Sequence, residues 1–437
     1  MAALDHIPNL PAKPVIGHTL ATLYDLYGLH ERSIAAFGPI YKTKLLGEWR
    51  VLLGGADALE FILGDTTGLF SSAGGWEMLD GLFDGGLMLR DGADHRAHRR
   101  IMQVAFRKPV MDAYRARMAE ALDQLVDSLP QGQRFAFYPA IKEMTLQMGA
   151  AVFMGLPLDD PRVPRLNRAF QEEVAASMGL IRAPLPGTKM RRGMKARAYL
   201  NETFSALIPA RRAAGGDDFF SQMCLAKDEA GNGWTDKEIV DHFNFLLMAA
   251  HDTSASTLSK MVWAMGSFPE WQDRMVAEVD ALGDGPLDDA GLASLEVTDR
   301  VFRESLRMLP PVPFIPRKAT RDFTYDGVHV PAGAWVTAAP GLVLRSADYW
   351  TDPQTFDPDR FSPNRAEDKR HRYAWAPFGG GAHKCIGLHF AGMEIKIFII
   401  KLLRRYRVEL AQDTPVKWNP VPLPTPKGGL PVRLINR

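Results

Sequence analysis

Two stretches of this chain carry residues whose types and spacing can do chemistry. The first is FGGGAHKCIG, residues 378–387, a glycine-rich run that ends in one of only two cysteines. Gly379, Gly380 and Gly381 let the backbone take positive φ and approach a flat partner that side chains would hold off. Apolar residues at Ile386, Phe390, Met393, Ile397 and Leu403 recur at helical spacing, so a helix is expected to start at once. Cys385 would then sit where unpaired amides and the positive dipole end favour thiolate over thiol. A phosphate cradle would need Gly-Lys-Ser/Thr ahead of its helix, and His383-Lys384-Cys385 stands there instead. On Cys385 alone, a small apolar filler remains an open reading. A thiolate on a loop that can lie against a planar group is also what axial ligation of haem iron requires.

The second stretch is FNFLLMAAHDTSAST, residues 243–257. It is apolar on nearly every side from Phe243 to Ala250, which marks a helix buried in protein. His251, Asp252 and Thr253 follow directly. An acid and a hydroxyl inside an apolar rod cost several kcal/mol unless paired or hydrated, so a purely structural role explains them poorly. A carboxylate that relays protons and a hydroxyl that hydrogen-bonds a bound oxygen species would account for both.

These groups need positioning. Thr235 with Glu238 three residues on forms a capping box, and the helical period persists to about Met265 before Gly266 and Pro269 end it. About thirty residues give a rod of roughly 45 Å. A second helix, starting near Asp91, carries His95 and Arg99 four apart and hence on one face; a solvated basic face is the plain alternative. Glu304 and Arg307 lie three apart on a helix closed by Pro310 and Pro311, a pair worth only a few tenths of a kcal/mol by itself. Tyr41–Leu46 and Arg50–Leu53 read as paired strands, and Tyr325-Asp326-Gly327-Val328 as a hairpin turn before a strand at Trp335–Ala338. Val312, Phe314 and Ile315 are expected in an extended strand. Between Phe70 and Leu89 lies an irregular, apolar stretch expected to pack inward or line a pocket.

Composition narrows the function classes. The length of 437 residues allows roughly three domains, yet no linker divides the chain. With 52 Lys plus Arg against 51 Asp plus Glu, overall charge favours neither nucleic acid nor an anionic membrane as partner. Two cysteines, Cys224 and Cys385, cannot build a disulfide framework or a four-cysteine zinc site and fit a reducing compartment, so a cytoplasmic location is expected. The opening residues read as neither signal peptide nor anchor, and no apolar run approaches the roughly twenty residues of a membrane span.

Phe378, Gly381, Cys385 and Gly387, in that spacing, resemble the haem-binding loop of the cytochrome P450 family. Three further matches stand in family order. Asp252-Thr253 resembles the acid–alcohol pair of the central helix, with Ala250 where Gly is common. Glu304-x-x-Arg307 resembles the pair that locks with an Arg from a segment like FDPDRF, here 356–361 with Arg360. His95 and Arg99 match positions that bind a haem propionate, and Arg317 and His383 resemble further propionate ligands. The resemblance implies a mainly α fold, with a large helical lobe and a smaller β-rich lobe, as a single haem domain over residues 1–437. It implies haem b (iron protoporphyrin IX) ligated by Cys385 and held between the central helix and the one after Cys385. The activity implied is monooxygenation with dioxygen, with electrons from a separate ferredoxin and its reductase. Arg96, Arg100, Lys108, Lys369, Arg370, Arg372 and Lys384 could form the docking patch for that donor. A pocket of Trp76, Leu82, Phe83, Leu87, Ala249, Val312, Phe314 and Leu423 would suit a bulky terpenoid, steroid or retinoid-like substrate, and the chain is expected to act as a monomer. A peroxide-driven peroxygenase usually replaces the acid–alcohol pair with Arg-Pro. A dehydratase or isomerase often lacks the Thr, and a haem sensor needs no proton relay.

Overall fold

The structure is a computed structural model that describes residues 4–437 except 180, 229 and 286, so the first three residues of the amino-terminal lead-in lie outside the described residues. The chain folds into two compact units, each assembled from three separate segments.

The first unit comprises Met1–Glu77, Arg300–Cys385 and Val416–Lys427. Its centre is a five-stranded sheet in the order Ile40–Leu45, Glu48–Leu53, Trp335–Ala338, Ile315–Ala319, Phe70–Ser71. The first hairpin turns at Leu46 and Gly47, both at positive φ, with Leu45 opposite Glu48. The second turns at Asp326 and Gly327, again both left-handed, as the Asp-Gly pair demands. Val51, Leu53, Val336 and Ala338 alternate onto one face and pack against Leu59, Ile62 and Leu63, which gives this unit its core. The strand expected around Val312 and Phe314 begins only at Ile315, because Pro310, Pro311 and Pro313 break the ladder ahead of it.

The second unit comprises Met78–Asp299, Ile386–Pro415 and Gly428–Arg437 and is built of helices, with a short three-stranded sheet of Phe135–Ala136, Pro431–Asn436 and Tyr406–Leu410. The helix Asp236–Ser267 is the one the sequence announces. Both halves of the Thr235/Glu238 capping box form, and its 32 residues span about 48 Å. Helices Phe137–Met154, Lys189–Ala214 and Leu388–Leu403 pack against it. Gly92–Met102 follows its N-cap Asp91 as the sequence implies. Among the described residues, no helix is long and apolar enough to cross a membrane.

Candidate functional site

The loop of residues 378–387 carries Cys385 on a stretch, 381–385, that is mostly exposed. Gly379 and Gly381 take positive φ, as the run of glycines implies. The close approach, however, is to the protein itself. A Cβ on Gly381 would fall 1.8 Å from the Leu63 carbonyl oxygen, and one on Gly380 would fall 2.4 Å from the Tyr373 ring. Only Gly379 leaves its outer side clear, with Ile315 at van der Waals distance. The Cys385 amide donates to the Phe378 carbonyl at 3.0 Å and closes the loop. The following helix begins at Leu388, not at Ile386, because Gly387 serves as its N-cap; Cys385 lies in the turn that leads into it.

Behind this loop, the expected trio of charges is a quartet. Glu304 accepts two bonds from Arg307, at 2.7 and 2.9 Å, and one from Arg360 at 3.1 Å. Arg360 also donates to Glu367 at 3.1 Å. All four are at most 1% exposed, so the buried charge is two positive and two negative. The guanidinium groups also donate to the carbonyls of Leu344, Pro353, Thr351 and Thr355. Arg303, on the same helix Glu296–Met308, lies over Phe361 and Trp375, and Trp375 packs on Phe378 with ring centroids 6.0 Å apart. This stack ties the helix that carries Glu304 and Arg307 to Phe378 of the cysteine loop. Arg317, on strand Ile315–Ala319, is buried and donates to the Pro316 carbonyl; His383 is half-buried in the short turn before Cys385.

In the second unit, Gly92–Met102 presents His95, fully buried, and Arg99, half-buried, one turn apart. On the central helix, Ala249 is exposed and Thr253 half-buried one turn later, whereas His251, Ser254 and Ala255 on the other side are buried. The helix therefore has an open side at the expected alcohol. The Thr253 hydroxyl donates to the Ala249 carbonyl at 2.8 Å, a bond that bends helices, and the helix runs unbroken across Ala250. Asp252 is paired with Lys142 of helix Phe137–Met154 at 2.7 Å. Its neighbours face inward: His251 Nδ1 meets Thr145 Oγ1 at 2.8 Å, and Ser254 donates to Glu394 at 2.7 Å. Burial pushes the Glu394 carboxyl up to about 7 and the His251 imidazole down to about 4. A cavity of about 40 Å³ lies among Thr145, Phe170, Leu247, His251, Phe390 and Glu394.

The structure does not treat the expected pocket residues alike. Leu82 and Phe83 have no exposed surface, and their part of the apolar stretch packs inward. Leu87 is also buried. Trp76, Val312, Phe314 and Leu423 are half-buried, with Phe314 against the His30 ring, and only Ala249 is exposed. The expected basic patch is also thinner than its sequence. Lys108 pairs with Asp289 and Arg372 with Glu60, while Arg370 donates to Thr351. Sequence reasoning missed Lys142, Glu367 and Glu394. A charge count would have found Glu367, since two buried Arg against Glu304 alone leave an uncompensated charge.

Taken unit by unit, the donor types suit a haem: the first has a thiol on an exposed loop and a buried guanidinium at Arg317, the second a buried imidazole at His95 and an open helix side at Ala249 and Thr253. Comparison with known proteins agrees. The family model described as Cytochrome P450 matches residues 8–431. The protein named cytochrome P450 136 in Mycobacterium tuberculosis is 39% identical over 98% of this chain and 89% of its own. Pentalenene oxygenase of Streptomyces avermitilis is 30% identical over 78% of this chain and 77% of its own. The retinoic acid-bound structure of cyanobacterial CYP120A1 superposes with a TM-score of 0.88 at 27% identity, covering 99% of this chain and all of that one. Members of this family use haem iron, dioxygen and a redox partner. The chain therefore belongs to the cytochrome P450 family, as a monooxygenase of the oxidoreductase class.

Proposed function

We propose that this monooxygenase hydroxylates a bulky, lipophilic small molecule of the terpenoid, steroid or retinoid-like kind, with haem b as prosthetic group and a separate ferredoxin-type protein as electron donor. The observation that carries the reading is the Asp252–Lys142 pair beside the open Ala249 and Thr253 side of the central helix. Relatives named pentalenene oxygenase and taxane 10-beta-hydroxylase, and the retinoic acid held by CYP120A1, support the substrate range.

Bound haem supplies the activation of dioxygen and the hydrogen abstraction that precedes hydroxyl return. This chain's residues do the rest. Cys385 would supply the sulfur that holds the iron, and the bond from its amide to the Phe378 carbonyl fixes its loop. His95, Arg99, Arg317 and His383 neutralise the carboxylates. The Thr253 hydroxyl, which here donates to the Ala249 carbonyl, would offer its O–H to an oxygen species, and Asp252 would bring protons to that hydroxyl from solvent. Lys142, about a third exposed, holds Asp252 at the edge of solvent, so breaking that pair frees the carboxylate to carry a proton. Half-buried Val312 and Phe314 would help keep water out. We further propose that residues 1–437 act as one haem domain, that the protein works in the cytoplasm as a monomer, and that Lys369 and Lys384 contribute to the donor's docking surface.

The test is a purified, haem-loaded protein. Reduction under carbon monoxide should give the strongly red-shifted Soret band of thiolate ligation, and Cys385→Ser should abolish it. Terpenoids, steroids, retinoids and fatty acids are then screened by haem spin-state shift. Turnover should require the ferredoxin donor. Peroxide restoring full turnover without that donor would overturn the proposed electron route, and an imidazole-type spectrum unchanged in Cys385→Ser would overturn the ligand.

A further inference from the structure

Two histidines that the chemistry above does not use join the helix bearing His95 and Arg99 to the first turns of the central helix. His98 Nδ1 lies 2.8 Å from His242 Nε2, with both rings buried. On its other side, His98 Nε2 lies 2.9 Å from Arg90 Nη1. A guanidinium only donates, so His98 Nε2 must accept and the ring proton must sit on Nδ1. That proton is donated to His242 Nε2, which leaves the His242 proton on Nδ1, buried without a partner among the described residues. Trp234 stacks on both rings, at 4.7 Å from His242 and 6.1 Å from His98. Arg90 is fixed by the Gly85 carbonyl and by Asp94, each at 2.8 Å. The charged groups facing the pair are therefore Arg90, Asp94 at 3.4 Å and Glu238 at 3.7 Å from His98 Nε2. Glu238 is also the residue that caps the central helix.

We propose that His98 and His242 form a positioning latch that sets where the Gly92–Met102 helix, with His95 and Arg99, lies against the central helix, and that mild acid opens it. The importance of that setting rests on the reading that His95 and Arg99 hold a haem carboxylate; the latch itself does not. At neutral pH each ring has one proton and the chain Arg90, His98, His242 is donor to acceptor throughout. A proton added at His98 Nε2 sets donor against donor and charge against charge at Arg90. The imidazolium keeps its Nδ1–H, but repelled by Arg90 and drawn to Asp94 and Glu238 it shifts, and that N–H no longer lines up with His242 Nε2. Burial first, and then Arg90, lower the His98 pKa; burial, then His98, lower that of His242 well below its usual value. A lowered histidine pKa means the stability the neutral pair contributes is complete above the unfolded value of about 6.5 and is lost as pH falls below it.

The experiment is amide hydrogen exchange on the haem-loaded protein from pH 7.5 to 5.5, corrected for intrinsic rates, reading residues 92–102 against the helix Pro269–Leu282. In the native protein, protection of 92–102 should fall about tenfold or more across this range while the reference helix holds. His242→Leu, which removes the acceptor, should show the low protection already at pH 7.5, and His242→Gln, which restores an oxygen acceptor, should recover it. Arg90→Met, at a partly exposed site and so independent of core packing, should lose the acid response, because no guanidinium then repels protonated His98 from its place beside His242. Wild-type protection and pH slope in His242→Leu, equal damage in His242→Gln, or an unchanged acid response in Arg90→Met would each overturn the latch. A chain that takes up no haem would overturn the carboxylate reading instead, and the exchange data would still decide the latch.

Discussion

Lys142 changes what Asp252 can do. A carboxylate in an apolar rod is a liability, and the ammonium at 2.7 Å makes it tolerable while leaving the pair within reach of solvent. If this carboxylate carries protons to the oxygen site, Asp252→Asn keeps the shape and loses the relay. Donor-driven product formation should drop by about 10²-fold, with the carbon monoxide spectrum unchanged; a variant within twofold of the parent would remove Asp252 from the mechanism. The acid and the alcohol were legible in the sequence because polar groups break an otherwise apolar run. Lys142 was not, since it lies some 110 residues earlier on a helix whose contact with the central one no local pattern reveals. Glu394 escaped for the same reason: inside the apolar helix Leu388–Leu403 it looks like an ordinary helix former until Ser254 is seen donating to it.

Elements show where local rules suffice. The capping box, the left-handed hairpin turn at Asp326 and Gly327 and the helix start near Asp91 were readable because each depends on residues within four of one another, whereas the first hairpin, expected to join at Gly47-Glu48, turns one residue earlier. The quartet behind Cys385 depends on chain segments some sixty residues apart, and only its positive excess betrays the missing member. Glu367→Gln would leave Arg307 and Arg360 buried with Glu304 alone. It should cost about 3–5 kcal/mol in chemical denaturation of the haem-loaded protein, and a loss below 1 kcal/mol would mean that water already reaches this cluster. The central helix carries a converse case. Lys260 is wholly buried, its amine has no hydrogen-bond partner among the described residues, and burial lowers its pKa far below the usual value. The unfolded chain binds a proton there up to about pH 10.5 while the folded one does not, so stability is depressed at neutral pH and recovers as pH rises. Lys260→Met should therefore stabilise by about 1–3 kcal/mol at pH 7, and the gain should shrink toward pH 10. A gain independent of pH would mean the amine is charged in the folded state.

For the whole molecule, buried acids set the alkaline limit. Burial raises the Glu173 carboxyl to about 8, partly offset by Arg197, and neither carboxyl oxygen has a hydrogen-bond partner among the described residues. Glu394 is raised to about 7 by burial, offset by the Ser254 bond. A carboxyl raised in the folded state contributes stability that is complete below its unfolded value near 4.5 and is lost as pH climbs through 7 and 8. Melting temperatures should accordingly fall between pH 6 and 9. Glu173→Gln should match the parent at pH 5 and exceed it by about 1–2 kcal/mol at pH 9; parallel pH profiles would show that Glu173 is ionised and hydrated instead. Nothing in the sequence marks Glu173, which occupies one of two adjacent acidic positions in a helix with polar neighbours.

The glycines at 380 and 381 are held against Leu63 and Tyr373, so the shape of the turn that offers Cys385 is written in the polypeptide's own contacts. Such a seat is preorganised. Porphyrin capture should then behave as a simple second-order encounter, with a rate proportional to porphyrin concentration and no lag for rearrangement. Enlarging residue 381 should slow that capture well before it weakens the final complex.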